Sequence, residues 1–233
     1  MEKHEPSPSE VRAKIEQIEE RGVKMFCRVL YVLCASESQI AGVPCKKERV
    51  YGPKGNEFKI SQYHPQGISR LTSEKIYKHE LKPQDAFLPV DIAVFTITRT
   101  KTEQRFVVTL PLDESFEPLT KEILSYYKEA QTKNVFDFNR KYALDYIRLR
   151  HTFDEFGYRG QNPSPKKQGE QKKLKKYGLD ALRFTRKQEL MKDFGFSDYE
   201  INVFEGTTNI DMPKPYELYL PKLLMNNPNF RGK

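Results

Sequence analysis

Apolar positions recur at three- and four-residue steps near the start of the chain. Val11, Ile15 and Ile18 follow a charged, proline-bearing opening, and their spacing predicts a helix that Ser9 caps, that begins at Glu10 and that Gly22 ends. Residues 1–8 read as a loose tail. The next stretch, MFCRVLYVLCA, carries almost no charge beyond Arg28, so a buried central helix is predicted from Val23 to about Ala35. Between Cys45 and Asp91 the pattern breaks up. Pro44, Pro53, Pro65, Pro83 and Pro89 punctuate mixed segments such as EFKISQY and SEKIYKHEL, which read as loops with short strands and one short helix.

Two β-branched runs follow, Ile92 to Thr98 and Arg105 to Leu110. The polar turn TKTEQ joins them, the pattern of a β-hairpin. After Pro111 the periodicity is helical again. An acidic start precedes Leu119, Ile123, Leu124 and Tyr127, and further helices are predicted at Arg140 to Phe156, Asp180 to Asp193, Asp198 to Phe204 and Tyr216 to Met225, with GQNPSPKKQGE as a polar loop. The expected fold is mainly α with a small antiparallel β-sheet, an α+β architecture, with residues 9–233 forming a single domain.

Composition adds a partner to this picture. The 233 residues include 40 Lys and Arg against 32 Asp and Glu, a net charge of +8, while 15 Phe and 13 Tyr supply material for a core. The excess is local. Lys166, Lys167, Lys172, Lys173, Lys175, Lys176, Arg183, Arg186 and Lys187 stand against only Glu170 and Asp180, so this one block carries nearly the whole imbalance. Clustered cations that neutralise phosphates release condensed counterions, so the block is suited to nucleic acid as well as to simple solvation. Cys27, Cys34 and Cys45 form no C-x-x-C pair, and His4, His64, His79 and His151 are scattered singly, so neither a metal nor a cofactor is expected. Cys27 and Cys34, seven apart in an apolar stretch, read as small buried hydrophobes. Unpaired thiols fit a reducing, cytoplasmic setting, and the longest apolar run falls short of a membrane span.

The basic block adjoins the string Gly178-Leu-Asp-Ala-Leu-Arg183-Phe-Thr-Arg186-Lys-Gln-Glu-Leu190, followed by Gly195-Phe-Ser-Asp and then by Glu205-Gly206-Thr-Thr. This order resembles the catalytic domain of the tyrosine recombinases, or phage integrases, especially the archaeal type. That family writes H-x-L-R-H-T-R-x-x-x-L, then G-F-[ST]-[DE], then G-[HW]-[ST], with a tyrosine about ten residues past the glycine; Tyr216 stands at that interval here. The hairpin ITRTKTEQRFVVTLPL is similar to the family hairpin, with Lys101 in the place of its turn lysine. LYVLCASESQIAGV resembles L-Y-x-T-G-L-R-x-S-E-L, with Ser38, Gln39 and Ile40 in the place of S-E-L. The likeness spans about Val11 to Met225, without the separate N-terminal core-binding domain common in the family.

The resemblance implies DNA strand breaking and rejoining through a 3′-phosphotyrosyl link, without metal or other cofactor, in site-specific recombination or DNA integration by an archaeal or viral mobile element. It also implies double-stranded DNA as partner, with self-association on DNA through the C-terminal helix. Carried over residue by residue, Tyr216 would be the nucleophile, Arg183 a clamp on the phosphate and Lys101 the general acid. Lys166, Lys167, Lys172, Lys173, Lys175, Lys176, Arg186 and Lys187 would line the DNA. The pattern is incomplete. Ser36 stands where the family has its first arginine, Asp180 where it has a histidine, and Thr207 where it has a histidine or tryptophan. Loss of several fixed donors from a phosphoryl-transfer site predicts reduced or lost cleavage. A second string, Leu149-Arg-His-Thr-Phe153, lacks the glycine and tyrosine steps and reads as part of an ordinary helix.

Each of these residues also has a plainer reading. Lys101 can be a solvated turn lysine, Arg183 a structural partner of Asp180, and Tyr216 a packing residue with Tyr219 as the rival nucleophile one helical turn away. The corresponding alternative is a non-catalytic module that binds RNA, regulatory DNA or protein through 166–187.

Overall fold

The structure is a computed structural model that describes residues 6–36, 39–40, 44–52, 55–63, 68–77, 89–98, 105–112, 119–130, 152–153, 156, 158–161, 174–176, 178–208 and 218–225. Its first helix is α1 (Pro8–Glu16). The cap is Ser7 rather than Ser9. The Ser7 hydroxyl accepts from the Glu10 N–H at 3.3 Å, and the Glu10 carboxylate accepts from the Ser7 N–H at 2.7 Å, a reciprocal capping box that leaves Pro8 at the first helical turn, where a missing N–H costs nothing. The supposed tail is therefore tied down at 6–8, and buried Pro6 accepts at its carbonyl from the Thr185 hydroxyl at 3.3 Å. Residues 1–5 lie outside the described residues.

Helix α2 (Arg21–Val32) starts earlier than its apolar run suggests, and Gly22 lies inside it. Glu20 explains the shift: its carboxylate accepts from the N–H groups of Gly22 and Val23, satisfying donors that open the helix. Val23, Met25, Phe26, Cys27, Val29, Leu30, Tyr31 and Val32 are all buried. The helix is the centre of the core, as its composition predicts.

The segment from 44 to 77 holds more strand than expected. Strands β1 (Pro44–Gly52) and β2 (Gly55–Tyr63) pair antiparallel, with Gly52 opposite Gly55. Strand β3 (Ile68–Tyr77) takes in the SEKIY that opens the segment SEKIYKHEL. The prolines that suggested loops bound these runs rather than interrupt them, and within each run pairing to a neighbour settles the conformation. Strands β4 (Pro89–Thr98) and β5 (Arg105–Pro111) form the expected hairpin, with Phe95 opposite Val108, and β3 extends it to a three-stranded sheet in the order β3-β4-β5. Ile92, Ala93, Phe95, Ile97, Val108 and Leu110 are buried in the core.

Helix α3 (Leu119–Ala130) packs on α2, with Ile123 and Leu124 buried. Strands β6 (Tyr158–Gln161) and β7 (Leu174–Lys176) make a small antiparallel pair. Helices α4 (Asp180–Lys192) and α5 (Asp198–Phe204) lie close to the predicted bounds; α4 packs on α1, α2 and α5. The last element, α6 (Leu220–Met225), packs on β5. The fold is α+β, with a helical core and small antiparallel sheets. The predicted helix from Arg140 to Phe156 falls mostly outside the described residues, although Phe153 and Phe156 are buried. Among the described residues no helix is long and apolar enough to cross a membrane.

Candidate nucleic-acid interface

Two helix ends with the same geometry build the floor of the site. At the end of α2 the N–H of Ala35 donates to Leu30 O at 3.0 Å and that of Cys34 to Tyr31 O at 3.0 Å; at the end of α5 the N–H of Thr207 donates to Asn202 O at 2.8 Å and that of Gly206 to Val203 O at 3.0 Å. Each is a Schellman reversal, which needs a left-handed residue at its hinge. Gly206 supplies one at φ +65°, whereas Cys34 adopts φ +52° with a side chain. Non-glycine residues rarely take this conformation.

The two reversals turn Ser36 and Thr207 out of the core, and the first reaches the second at Glu205 through Cys34 and Gln39. Gln39 accepts at Oε1 from the Ser36 N–H at 2.7 Å and from the Ser36 hydroxyl at 3.0 Å, and its Nε2 reaches Glu205 O at 3.5 Å. The Thr207 hydroxyl stays local, donating to Asn202. Helix α4 runs past this junction. The buried Cys34 sulfur lies 3.5 Å from Arg183 O and 3.5 Å from Glu205 Oε1, so it ties both helix ends to α4. Burial, and next the Glu205 carboxylate, push the Cys34 thiol well above its ordinary pKa, so it is a neutral donor here rather than a nucleophile. Cys34 and Gln39, Arg183 and Lys187 of α4, and Glu205, far apart in sequence, thus meet in space.

Arg183 and Lys187, one turn apart on α4, are the cations of this junction, with 29% and 27% of their side chains exposed. They differ in what they hold. Arg183 has only a loose pairing with Asp180, at 4.0 Å, and its Nε is buried with no hydrogen-bond partner; the guanidinium carbon sits 5.6 Å from the Phe184 ring centre. Nε is shut off from water, so the exposed part of the guanidinium, 4.0 Å from Asp180, is what can take an anion. Lys187 is tightly paired, its Nζ 2.6 Å from Oε2 of Glu205.

Arg186 is a correction to the surface reading. It is 1% exposed, with Nη1 2.5 Å from Glu189 Oε2 and its guanidinium over the Tyr31 ring at 5.5 Å. Arg12 also reaches Glu189, at 3.3 Å, and the Tyr31 hydroxyl donates to it at 2.9 Å. Burial pushes the Glu189 carboxyl up, but Arg186 and Arg12 outweigh that and hold it below the ordinary range. Leu182, Arg186 and Leu190 are spaced by four, so the buried stripe of α4 runs through the arginine; that spacing was the available signal. Glu205 was likewise legible, four residues past buried Ile201, although sequence reasoning passed over it.

Tyr219 is interior too. Its ring packs against Phe204 at 5.1 Å and Phe196 at 5.8 Å, and its hydroxyl accepts from the Thr109 N–H of β5 at 3.0 Å. Lys222 fastens the same segment, with Nζ 2.8 Å from Gly195 O and 2.7 Å from Glu200 Oε2. Leu220 and Leu223 are fully buried within the chain. Lys101, Tyr216, Lys166, Lys167, Lys172 and Lys173 lie outside the described residues, and Lys175 and Lys176 are placed only as backbone of β7. Among the described residues no group of three or more His, Cys, Asp or Glu is placed to hold a metal ion.

Compared with family models, with curated proteins and with solved structures, the chain finds no match in any of the three.

Proposed function

We propose that this protein binds double-stranded DNA in the manner of the tyrosine recombinases, with Arg183 holding a backbone phosphate and with strand cleavage reduced or lost. The observation that carries this reading is the meeting of Ser36 and Gln39 with α4 and 205–207, because the sequence likeness selects those same stretches and the Arg183 carbonyl lies against the Cys34 sulfur where they join, with part of the Arg183 guanidinium exposed.

The chemistry of the junction favours holding over cutting. In-line attack on a phosphodiester concentrates negative charge on the non-bridging oxygens, and fixed cationic donors must meet it. Ser36 and Thr207 offer neutral hydroxyls instead, both already engaged, and Asp180 places a carboxylate 4.0 Å from Arg183. One open guanidinium is enough to hold a phosphate. A nucleophile at Tyr216 and an acid at Lys101 would complete a slow cleavage centre, and the lysines of 166–176 would extend the contact along the backbone. Leu220 and Leu223 of α6 are covered by their own chain, so tethering a second copy on DNA through these two residues would require the docked segment to be exchanged.

The test is covalent trapping. The protein and Tyr216→Phe are incubated with nicked and intact duplexes and resolved under denaturing conditions, with native gels run in parallel. Native binding without an adduct is the expected result. An adduct that disappears in Tyr216→Phe would show that cleavage survives. Absence of duplex binding at low salt would overturn the proposal, and preference for structured RNA would move the assignment to the RNA-binding alternative.

A further inference from the structure

Arg183 and Lys187 share one face of α4, are exposed to similar degrees and each face a carboxylate, yet the two pairings are unequal. Asp180 stands 4.0 Å from Arg183, at the outer limit of an ion pair, whereas Glu205 stands 2.6 Å from Lys187. Glu205 differs from an ordinary surface carboxylate because it is 7% exposed. Its backbone is fixed in the helix reversal that Gly206 makes possible, its carbonyl accepts from Gln39, and its Oε1 faces the Cys34 thiol. A carboxylate so placed cannot swing away, and leaving water uncompensated would be costly, so it keeps its cation close.

We propose that Glu205 is an internal counter-anion that occupies the second cation of a two-cation phosphate site. Arg183 is the open half of that site and Lys187 the closed half, so Glu205 sets how tightly this face of α4 holds phosphate. The inference rests on the reading of the Arg183 face as a phosphate site and names what limits its affinity. A phosphate reaching Arg183 meets Lys187 one helical turn further on, within reach of a second phosphate oxygen or of the next phosphate of a chain, but the charge it meets there is largely cancelled. Lys187 is a positioning and affinity residue, and Glu205 acts only through it.

A simpler account assigns Lys187 the sole task of neutralising a carboxylate that the fold needs. The two accounts differ in what happens when the carboxylate loses its charge. Glu205→Gln preserves shape and an acceptor for Cys34. If Lys187 is the closed half of a site, neutralising Glu205 opens it. If Lys187 serves only Glu205, neutralising Glu205 leaves phosphate affinity where it was.

The experiment titrates inorganic pyrophosphate into the full chain by calorimetry at low salt, with thermal melts to confirm folding. Glu205→Gln is expected to raise affinity about tenfold, the order of effect a unit charge exerts at this range near a protein surface. Lys187→Gln alone, which leaves the Glu205 carboxylate uncompensated beside Arg183, is expected to lower it about tenfold, and the double variant to return to the wild-type value. If Glu205→Gln fails to fold, Glu205→Asp, which draws the carboxylate back by one methylene, is expected to show a smaller gain of the same sign. No gain from the variant that folds, or a gain that persists in the double variant, overturns the proposal. Wild-type duplex binding that depends on Arg183 would then leave the DNA reading standing. The expected pyrophosphate pattern without any duplex binding would retain the site and remove DNA as its ligand.

Discussion

Gly206 lies against the ring of Phe106, so close that a β-carbon on the glycine would fall 2.3 Å from the Phe106 Cγ. The contact joins the reversal after α5 to strand β5, and it thereby sets the distance between the hairpin and the Arg183 junction. Gly206 also holds φ +65°. Both features oppose a side chain, the first by overlap and the second by strain. Gly206→Ala is expected to destabilise the protein by about 2–4 kcal/mol, combining left-handed strain with overpacking. Gly195 has nearly the same φ, +67°, and nothing within 4 Å of its virtual β-carbon, so Gly195→Ala should cost only about 1 kcal/mol. Urea denaturation of the two variants checks the difference; equal losses would mean that Phe106 yields without cost.

Tyr219 packs in the core, whereas Tyr216 is the proposed nucleophile. Removing the Tyr219 hydroxyl strands the buried Thr109 N–H, and Tyr219→Phe is expected to lower stability by about 1–3 kcal/mol. Its duplex binding and any covalent adduct should persist at temperatures where it is folded. Loss of an adduct in Tyr219→Phe but not in Tyr216→Phe would reverse the assignment.

The cluster of Arg12, Arg186, Tyr31 and Glu189 predicts a pH profile. The folded Glu189 carboxyl sits below its unfolded value of about 4.3, so its contribution is complete above that value and is lost as pH falls through the folded pKa. Glu189→Gln should cost about 3 kcal/mol at pH 7, because it takes the carboxylate from a buried arginine, and the deficit should shrink on acidification. Tyr31 acts at the other end. Burial, and next Glu189, raise its pKa, so its contribution is present below its ordinary value of 10.0 and falls as pH rises beyond it. Denaturant midpoints across pH, with and without Glu189→Gln and Tyr31→Phe, measure both limbs.

Salt dependence distinguishes the cations of α4. Arg183→Ala is expected to weaken duplex binding and to reduce the slope of log affinity against log salt by about 0.9, the value for one phosphate contact. Arg186→Ala removes no surface charge and should act through folding alone, with an unchanged slope. Equal slope changes would place Arg186 on the DNA. Lys172→Glu with Lys175→Glu should weaken binding and flatten the slope further.

The docking of α6 rests partly on a pairing exposed to water. Lys222→Met removes two contacts, to Gly195 O and Glu200, and is expected to cost about 0.5–1 kcal/mol overall. Its larger effect should be local, as faster amide exchange at 219–225 than in α4, with Leu220 and Leu223 still buried. Uniform exchange across the chain would show that α6 does not open separately.

The sequence by itself determined the elements whose signals are local. The apolar run of α2 and the period-two hairpin of β4 and β5 each act within about ten residues, so periodicity was enough to locate them. Arg183, Ser36, Asp180 and Thr207 came to attention through the resemblance to the tyrosine recombinases rather than through periodicity. Local signals misled where two readings were locally equivalent: Ser7 and Ser9 are both plausible caps, and only the Glu10 carboxylate chose between them. Proline-broken segments such as EFKISQY become strands because a partner strand, here the adjoining β1, completes their hydrogen bonds, and their mixed polar and apolar residues carry no clear period-two signal of it.

Tertiary structure alone decided which charges face water. Arg183, Arg186 and Lys187 are near neighbours in one basic block and count alike as charge, yet one is part-exposed and loosely paired, one is interior and one is tied to Glu205. That difference depends on which elements surround α4, and charge counting carries no information about it. The left-handed turn at Cys34 is likewise a product of packing: cysteine has no preference for that conformation, and the contacts to Arg183 and Glu205 are what make it the lower-energy state.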